Sequence, residues 1–118
     1  MANEMKYSSN GLWIAKNGDN YRVGLSEKGQ DDIGEIMFAD MPKDIKALKA
    51  GDSLLGVEGA KAVTELESPL SGDVVQFNER LLNAPEELNK EDQKSNWIVE
   101  LTNVDTSEFA KLEDSLQL

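Results

Sequence analysis

The chain has 118 residues, which is enough for one hydrophobic core and too few for two ordinary domains, so residues 1–118 are expected to form a single unit. Twelve basic against 23 acidic side chains give a formal charge of -11; such a surface repels nucleic-acid phosphates and anionic membranes, and neither is an expected partner. Without cysteine or histidine the chain has no disulfide, thiolate metal site or thiol nucleophile, and it lacks the commonest general base, so most enzyme designs are unavailable to it.

Residues 1–11 hold no apolar run of the signal-peptide kind, and the longest apolar stretch, residues 36–39, is far too short to span a bilayer, so the expected compartment is the cytoplasm. Residues 12–16 and 20–25 read as strands, and Asn17-Gly18 between them supplies the positive φ that closes a hairpin. Ser26 can cap a short helix ending near Gly34, weakened by Gly29 within it. Residues 36–39, 53–58, 62–67, 73–77 and 97–101 are further strand-like runs bounded by turn formers. Pro85 suits the first position of a helical turn through Glu86, Glu87 and Leu88. Asp105 and Glu108 have the spacing of a capping box for a C-terminal amphipathic helix, with Phe109, Leu112 and Leu116 on one face. The charge is uneven: residues 1–50 carry 7 basic and 8 acidic side chains, residues 51–118 carry 5 and 15.

The segment from Gly51 to Gly72 carries the chemistry. Its two strand-like runs flank Gly59-Ala60-Lys61, which places Lys61 at the tip of a tight hairpin with its amine directed into solvent. Small neighbours (Gly59, Ala60, Ala62) clear space around the amine, Glu58 precedes it by three residues, and Pro69-Leu70-Ser71-Gly72 turns the chain beyond it. A lysine so displayed suits covalent modification by an enzyme that closes around it. Gly72 is expected to serve the turn through a positive φ.

Val57-Glu58-Gly59-Ala60-Lys61-Ala62-Val63 followed by Ser68-Pro69-Leu70-Ser71-Gly72 resembles the lipoyl-lysine hairpin of the glycine cleavage system H-protein family. The similarity runs in one register from about Leu12 to about Leu101, through Val23-Gly24-Leu25, Ile33-Gly34-Glu35-Ile36, Asn78, Leu81-Leu82-Asn83, Pro85, Glu87-Leu88-Asn89 and Trp97. It implies a mainly β hybrid barrel-sandwich fold of the lipoyl and biotinyl carrier type, with lipoate in amide linkage to Lys61. Glu58, Gly59 and Gly72 then serve ligase recognition and hairpin presentation. Implied partners are a lipoate ligase or lipoyl transferase, dihydrolipoamide dehydrogenase and the glycine cleavage enzymes. The carrier is a substrate of these enzymes and not itself an enzyme, and its dithiolane supplies the redox sulfur that the chain lacks.

The family's His-Glu-Trp step, whose Glu holds the amine of the aminomethyl-loaded arm, is replaced here by Gly11-Leu12-Trp13, and Leu12 offers an ammonium no acceptor. Glu65 stands where the family often has an acid near the arm; Glu67 continues the same polar face, so an exposed strand charge is the other reading. The divergence is similar to that of H-protein-like carriers associated with sirtuin and macrodomain proteins, which undergo reversible ADP-ribosylation on the carrier. Four other readings remain. An authentic glycine cleavage carrier would shuttle the aminomethyl group on the arm despite the altered step. A biotin carrier would set its lysine between methionines, where Lys61 has alanines. An unmodified acidic interaction domain would leave Lys61 unaltered. A metal cluster at Glu86, Glu87, Glu91 and Asp92 would lack the calcium-loop ligand pattern.

Overall fold

The computed structural model describes residues 4–42 and 44–114. The first hairpin forms as its turn chemistry demands: β2 (Leu12–Asn17) and β3 (Asn20–Leu25) pair antiparallel, with Asn17 opposite Asn20 and Gly18 at φ +66°. Their inward residues Leu12, Ile14, Val23 and Leu25 are buried. Around this pair a six-stranded antiparallel sheet assembles in the order β1-β2-β3-β9-β8-β5. Its other members are β1 (Glu4–Tyr7), β5 (Ala47–Leu48), β8 (Gly72–Phe77) and β9 (Trp97–Thr102). A second, three-stranded sheet has the order β4-β6-β7, formed by β4 (Ile36–Asp40), β6 (Ser53–Gly59) and β7 (Val63–Glu67). Leu54, Leu55, Val57 and Leu66 from this sheet join Ile14, Val23, Val99 and Leu101 from the other in one buried cluster. The result is the mainly β barrel-sandwich implied by the resemblance.

Every expected strand is present, and β1 and β5 are additional. Strand β1 escaped the pattern reading because its buried member is Lys6, not an apolar residue; the Lys6 ammonium lies 5.6 Å from the Phe109 ring centroid and pairs with Asp114 at 2.6 Å.

Helix α1 (Glu27–Ile33) begins at Ser26, whose hydroxyl accepts from the Gly29 amide at 3.3 Å, and ends at Gly34 with φ +80°. Gly29 is tolerated inside it for a packing reason: a side chain there would strike the Gly11 carbonyl and come 2.6 Å from Leu25 Cδ1. The helical turn at Pro85 is a 3₁₀ turn, Pro85–Asn89, preceded by α2 (Arg80–Asn83) and followed by α3 (Gln93–Asn96). Two of the acids considered as metal ligands have structural partners: Glu87 is buried against Lys90 (2.6 Å) and Arg80 (3.4 Å), and Asp92 caps α3. The C-terminal helix is shorter than expected, α4 (Thr106–Ala110), and no capping box forms. Asp105 does cap it, through the Ser107 amide, but the Glu108 carboxylate turns away to accept from the Ser71 amide (2.6 Å) and hydroxyl (3.0 Å). Phe109 packs edge-on against Tyr21 with centroids 5.0 Å apart, Leu112 is half-buried, and Leu116 lies outside the described residues. No helix among the described residues is long and apolar enough to cross a membrane.

Candidate functional site

The tip between β6 and β7 consists of Ala60, Lys61 and Ala62, closed by the Gly59 amide donating to the Ala62 carbonyl at 2.9 Å. Lys61 is exposed, as expected from the sequence. Its surroundings are more structured than the sequence suggested, because the C-terminal end of α1 lies against the tip. The Lys61 amide donates to the Ile33 carbonyl and the Ala60 amide to the Glu35 carbonyl, both at 2.9 Å. The Lys61 amine also finds a partner and does not simply point outward: Nζ donates to the Asp31 carbonyl at 3.0 Å. That carbonyl is one of the last in α1, where the helix leaves acceptors unsatisfied and a cation is favourably placed.

Two glycines make this approach possible. Gly59 has no positive φ, yet a side chain there would strike the Ile33 carbonyl and come 2.5 Å from Ile33 Cγ2. Gly34, at φ +80°, ends α1 beside the tip, and a Cβ on it would lie 3.0 Å from Lys61 Cγ and 3.1 Å from the Lys61 amide. The start of β4 is fixed in turn by Asn89, whose side-chain amide accepts from the Ile36 N–H (2.7 Å) and donates to the Ile36 carbonyl (3.1 Å), as a neighbouring strand would. Asp31, Ile33, Glu35 and Asn89 were not singled out as site residues, because they act here through backbone groups or at long sequence separation. The signals in the sequence were Gly34 after a helical run and the place of Ile33, Glu35 and Asn89 in segments that carry the resemblance.

The other candidates divide. Glu58 faces away from α1, since side chains alternate along a strand and Gly59 is the residue turned toward the helix. Glu65 shares this outer face: Glu58 lies opposite Val63 and Gly56 opposite Glu65 across β6 and β7. Both acids are exposed, and neither forms an ion pair with Lys61. Gly72 belongs to the other sheet, paired with Leu48, and lacks the expected positive φ. Close packing explains it instead, because a Cβ there would lie 2.9 Å from both the Thr102 carbonyl and Val104 Cγ2.

The Gly11-Leu12-Trp13 step is built into the core. Gly11 adopts φ +95° with its carbonyl accepting from the Ser26 amide at 2.9 Å, and a Cβ on it would lie 2.6 Å from Gly29 Cα. Leu12 is fully buried, and the Trp13 indole covers Gly24 while donating to Asn96 Oδ1 at 2.8 Å.

The family model described as "Glycine cleavage H-protein" matches residues 5–118. The chain belongs to this family. Glycine cleavage system H proteins of Vibrio atlanticus (strain LGP32) and Vibrio cholerae serotype O1 (strain M66-2) are 35% and 34% identical to it over 116 residues, covering 98% of this chain and 92% of each relative. Among solved structures, a glycine cleavage system H protein from Mycobacterium marinum aligns with a TM-score of 0.73 at 24% identity, over 93% of this chain and 96% of that one, a likeness of fold. Glycine cleavage H proteins are carriers with lipoate bound covalently to a lysine, so lipoate is the cofactor of this chain. Lys61 fits the group: its primary amine stands at an exposed hairpin tip between two alanines, held among the described residues only by a backbone carbonyl from which it can be drawn.

Proposed function

We propose that Lys61 is the lipoyl attachment residue and that the chain presents the loaded arm to successive partner enzymes. The observation that carries this is the clamped tip: backbone hydrogen bonds from Lys61 to the last residue of α1 and from Ala60 to Glu35 just beyond it hold the hairpin while the Lys61 side chain remains exposed. Bound lipoate supplies the dithiol–disulfide chemistry for which the chain has no sulfur of its own. The protein's part is to fix the point of attachment, so that the tether raises the local concentration of the carried group at a partner's site. The lipoate-attaching enzyme and dihydrolipoamide dehydrogenase are the partners this role requires. Intact-mass measurement on protein from its native cell, with peptide mapping, tests the assignment. The mass added by lipoate should map to Lys61 and be absent from Lys61→Arg, whose guanidinium does not form the amide; lipoate on the arginine variant would overturn it.

The relatives' names favour service in glycine cleavage, with the aminomethyl group shuttled on the arm. Leu12 opposes the part of that role in which an acid holds the loaded amine, since a fully buried leucine gives an ammonium no partner. We therefore read the chain as a divergent carrier with a solvated arm, regulated in the manner of the sirtuin- and macrodomain-associated carriers. Regulation would transfer ADP-ribose from NAD to a carboxylate with release of nicotinamide. Exposed acids on the two sides of the hairpin, Asp31, Glu58 and Glu65, are the candidate acceptors. Incubating lipoylated and unmodified protein with a sirtuin-type transferase and NAD, followed by mass measurement, tests this; addition of ADP-ribose to neither form would exclude it.

A further inference from the structure

The two most exposed large apolar side chains among the described residues, Val63 at 79% and Phe38 at 65%, stand on one face beside Lys61. Strand register brings them together: Phe38 lies opposite Glu58 and Glu58 opposite Val63, forming a single row across β4, β6 and β7. The next row on that face is Asp40, Gly56 and Glu65. Gly56 leaves a shallow groove between the two acids, since a Cβ there would meet nothing nearer than the Asp40 carbonyl at 3.9 Å. None of Asp40, Glu58 and Glu65 has an ion-pair partner among the described residues. The opposite flank of the hairpin is occupied, because Gly59 and the Lys61 amide abut Ile33 at the end of α1.

We propose that this outer face of the β4–β6–β7 sheet is where the lipoate-attaching enzyme docks, through an apolar projection bordered by lysines or arginines; this rests on Lys61 being the attachment residue. The Lys61 stem leans toward α1, with Nζ on the Asp31 carbonyl, so an enzyme that acylates it must draw the amine off the helix while gripping the hairpin, and the sheet face reached from Val63, two residues beyond Lys61, is the flank that α1 leaves open for that grip. Phe38 and Val63 supply the desolvated centre of the contact, and the acids form the rim that selects a basic partner and speeds encounter.

The test follows lipoyl attachment to unmodified full-length protein by a purified lipoate ligase with lipoate and ATP, read as intact mass against time at several protein concentrations. A Phe38→Ser/Val63→Thr double variant should lose about tenfold in kcat/KM, chiefly through KM, the loss of one modest hot spot. Val75→Thr, which removes a half-exposed apolar group from the other sheet, should leave the rate unchanged. KM for the wild type should rise with salt, and Glu58→Gln/Glu65→Gln should flatten that dependence. Equal rates for the wild type and the Phe38/Val63 variant would overturn the docking proposal while leaving Lys61 as the attachment site. So would sedimentation showing that the face joins two copies of this chain, with the double variant monomeric. No mass gain on the wild type would overturn the Lys61 assignment and the docking surface with it.

Discussion

Replacing Gly59 with alanine isolates the contact between the hairpin and α1. The backbone at Gly59 has no positive φ, so alanine can adopt it, and in open space the change would stabilise by about 0.4–1 kcal/mol through the unfolded chain. Here the added methyl must strike the Ile33 carbonyl and lie 2.5 Å from Ile33 Cγ2, on a residue that is itself buried. Overpacking of this kind costs about 1–3 kcal/mol. Pushing α1 away also weakens the hydrogen bonds from Lys61 to Ile33 and from Ala60 to Glu35, each worth about 0.5–1.5 kcal/mol net. The expected destabilisation is therefore about 2–4 kcal/mol, read as a lower urea midpoint at unchanged m and a Tm lower by roughly 10 °C. Gly56→Ala is the matched control on the same strand, because its methyl would meet nothing closer than 3.9 Å and should leave stability unchanged or slightly raised. If Gly59→Ala melts with Gly56→Ala, the helix does not brace the hairpin and the account of the tip is wrong.

Two further outcomes follow from buried groups. The hydrogen bond from Lys90 holds the Glu87 carboxyl below its ordinary value of 4.5, aided by the charges of Lys90 and Arg80. A depressed native pKa gives stability that is full above 4.5 and is lost as pH falls through the native value; acid titration of Glu87→Gln should show a shallower loss in that range than the wild type, and identical slopes would refute the linkage. Leu12→Glu, which restores the acid of the family pattern, should destabilise the fold by more than about 3 kcal/mol, because it places an unpaired carboxylate in the core. Denaturant unfolding checks this, and a variant as stable as the wild type would show that the position can open to solvent.

Alternation and turn residues made most of the sheet legible, and the hairpin displaying Lys61 could be placed from Gly59, Ala60 and the flanking strand runs. What stayed hidden depends on partners far along the chain. Glu108 has the spacing of a local capping residue but is drawn to Ser71, a charge-assisted contact 37 residues away. Lys6 reads as a solvent-facing charge until the Phe109 ring and Asp114 are brought to it by the end of the chain. Gly59 and Gly72 were recognisable as important glycines, but periodicity carries no information about a carbonyl approaching from another element, so close packing could not be told from turn geometry. The Lys61 amine illustrates the same limit, since its acceptor on Asp31 exists only once α1 has docked.

The bracing of the tip by α1 also sets where motion begins. The Lys61 amide is bonded to Ile33, and Gly34 lies close to the Lys61 Cγ, so the hairpin contributes little travel of its own. Whatever is joined to Nζ therefore swings about an origin fixed to the protein frame, and its reach is that of the side chain and its attachment alone. A partner cannot rely on loop excursions to close a gap. It must bring its own catalytic cavity within that radius, and it will find the carried group at a local concentration governed by tether length.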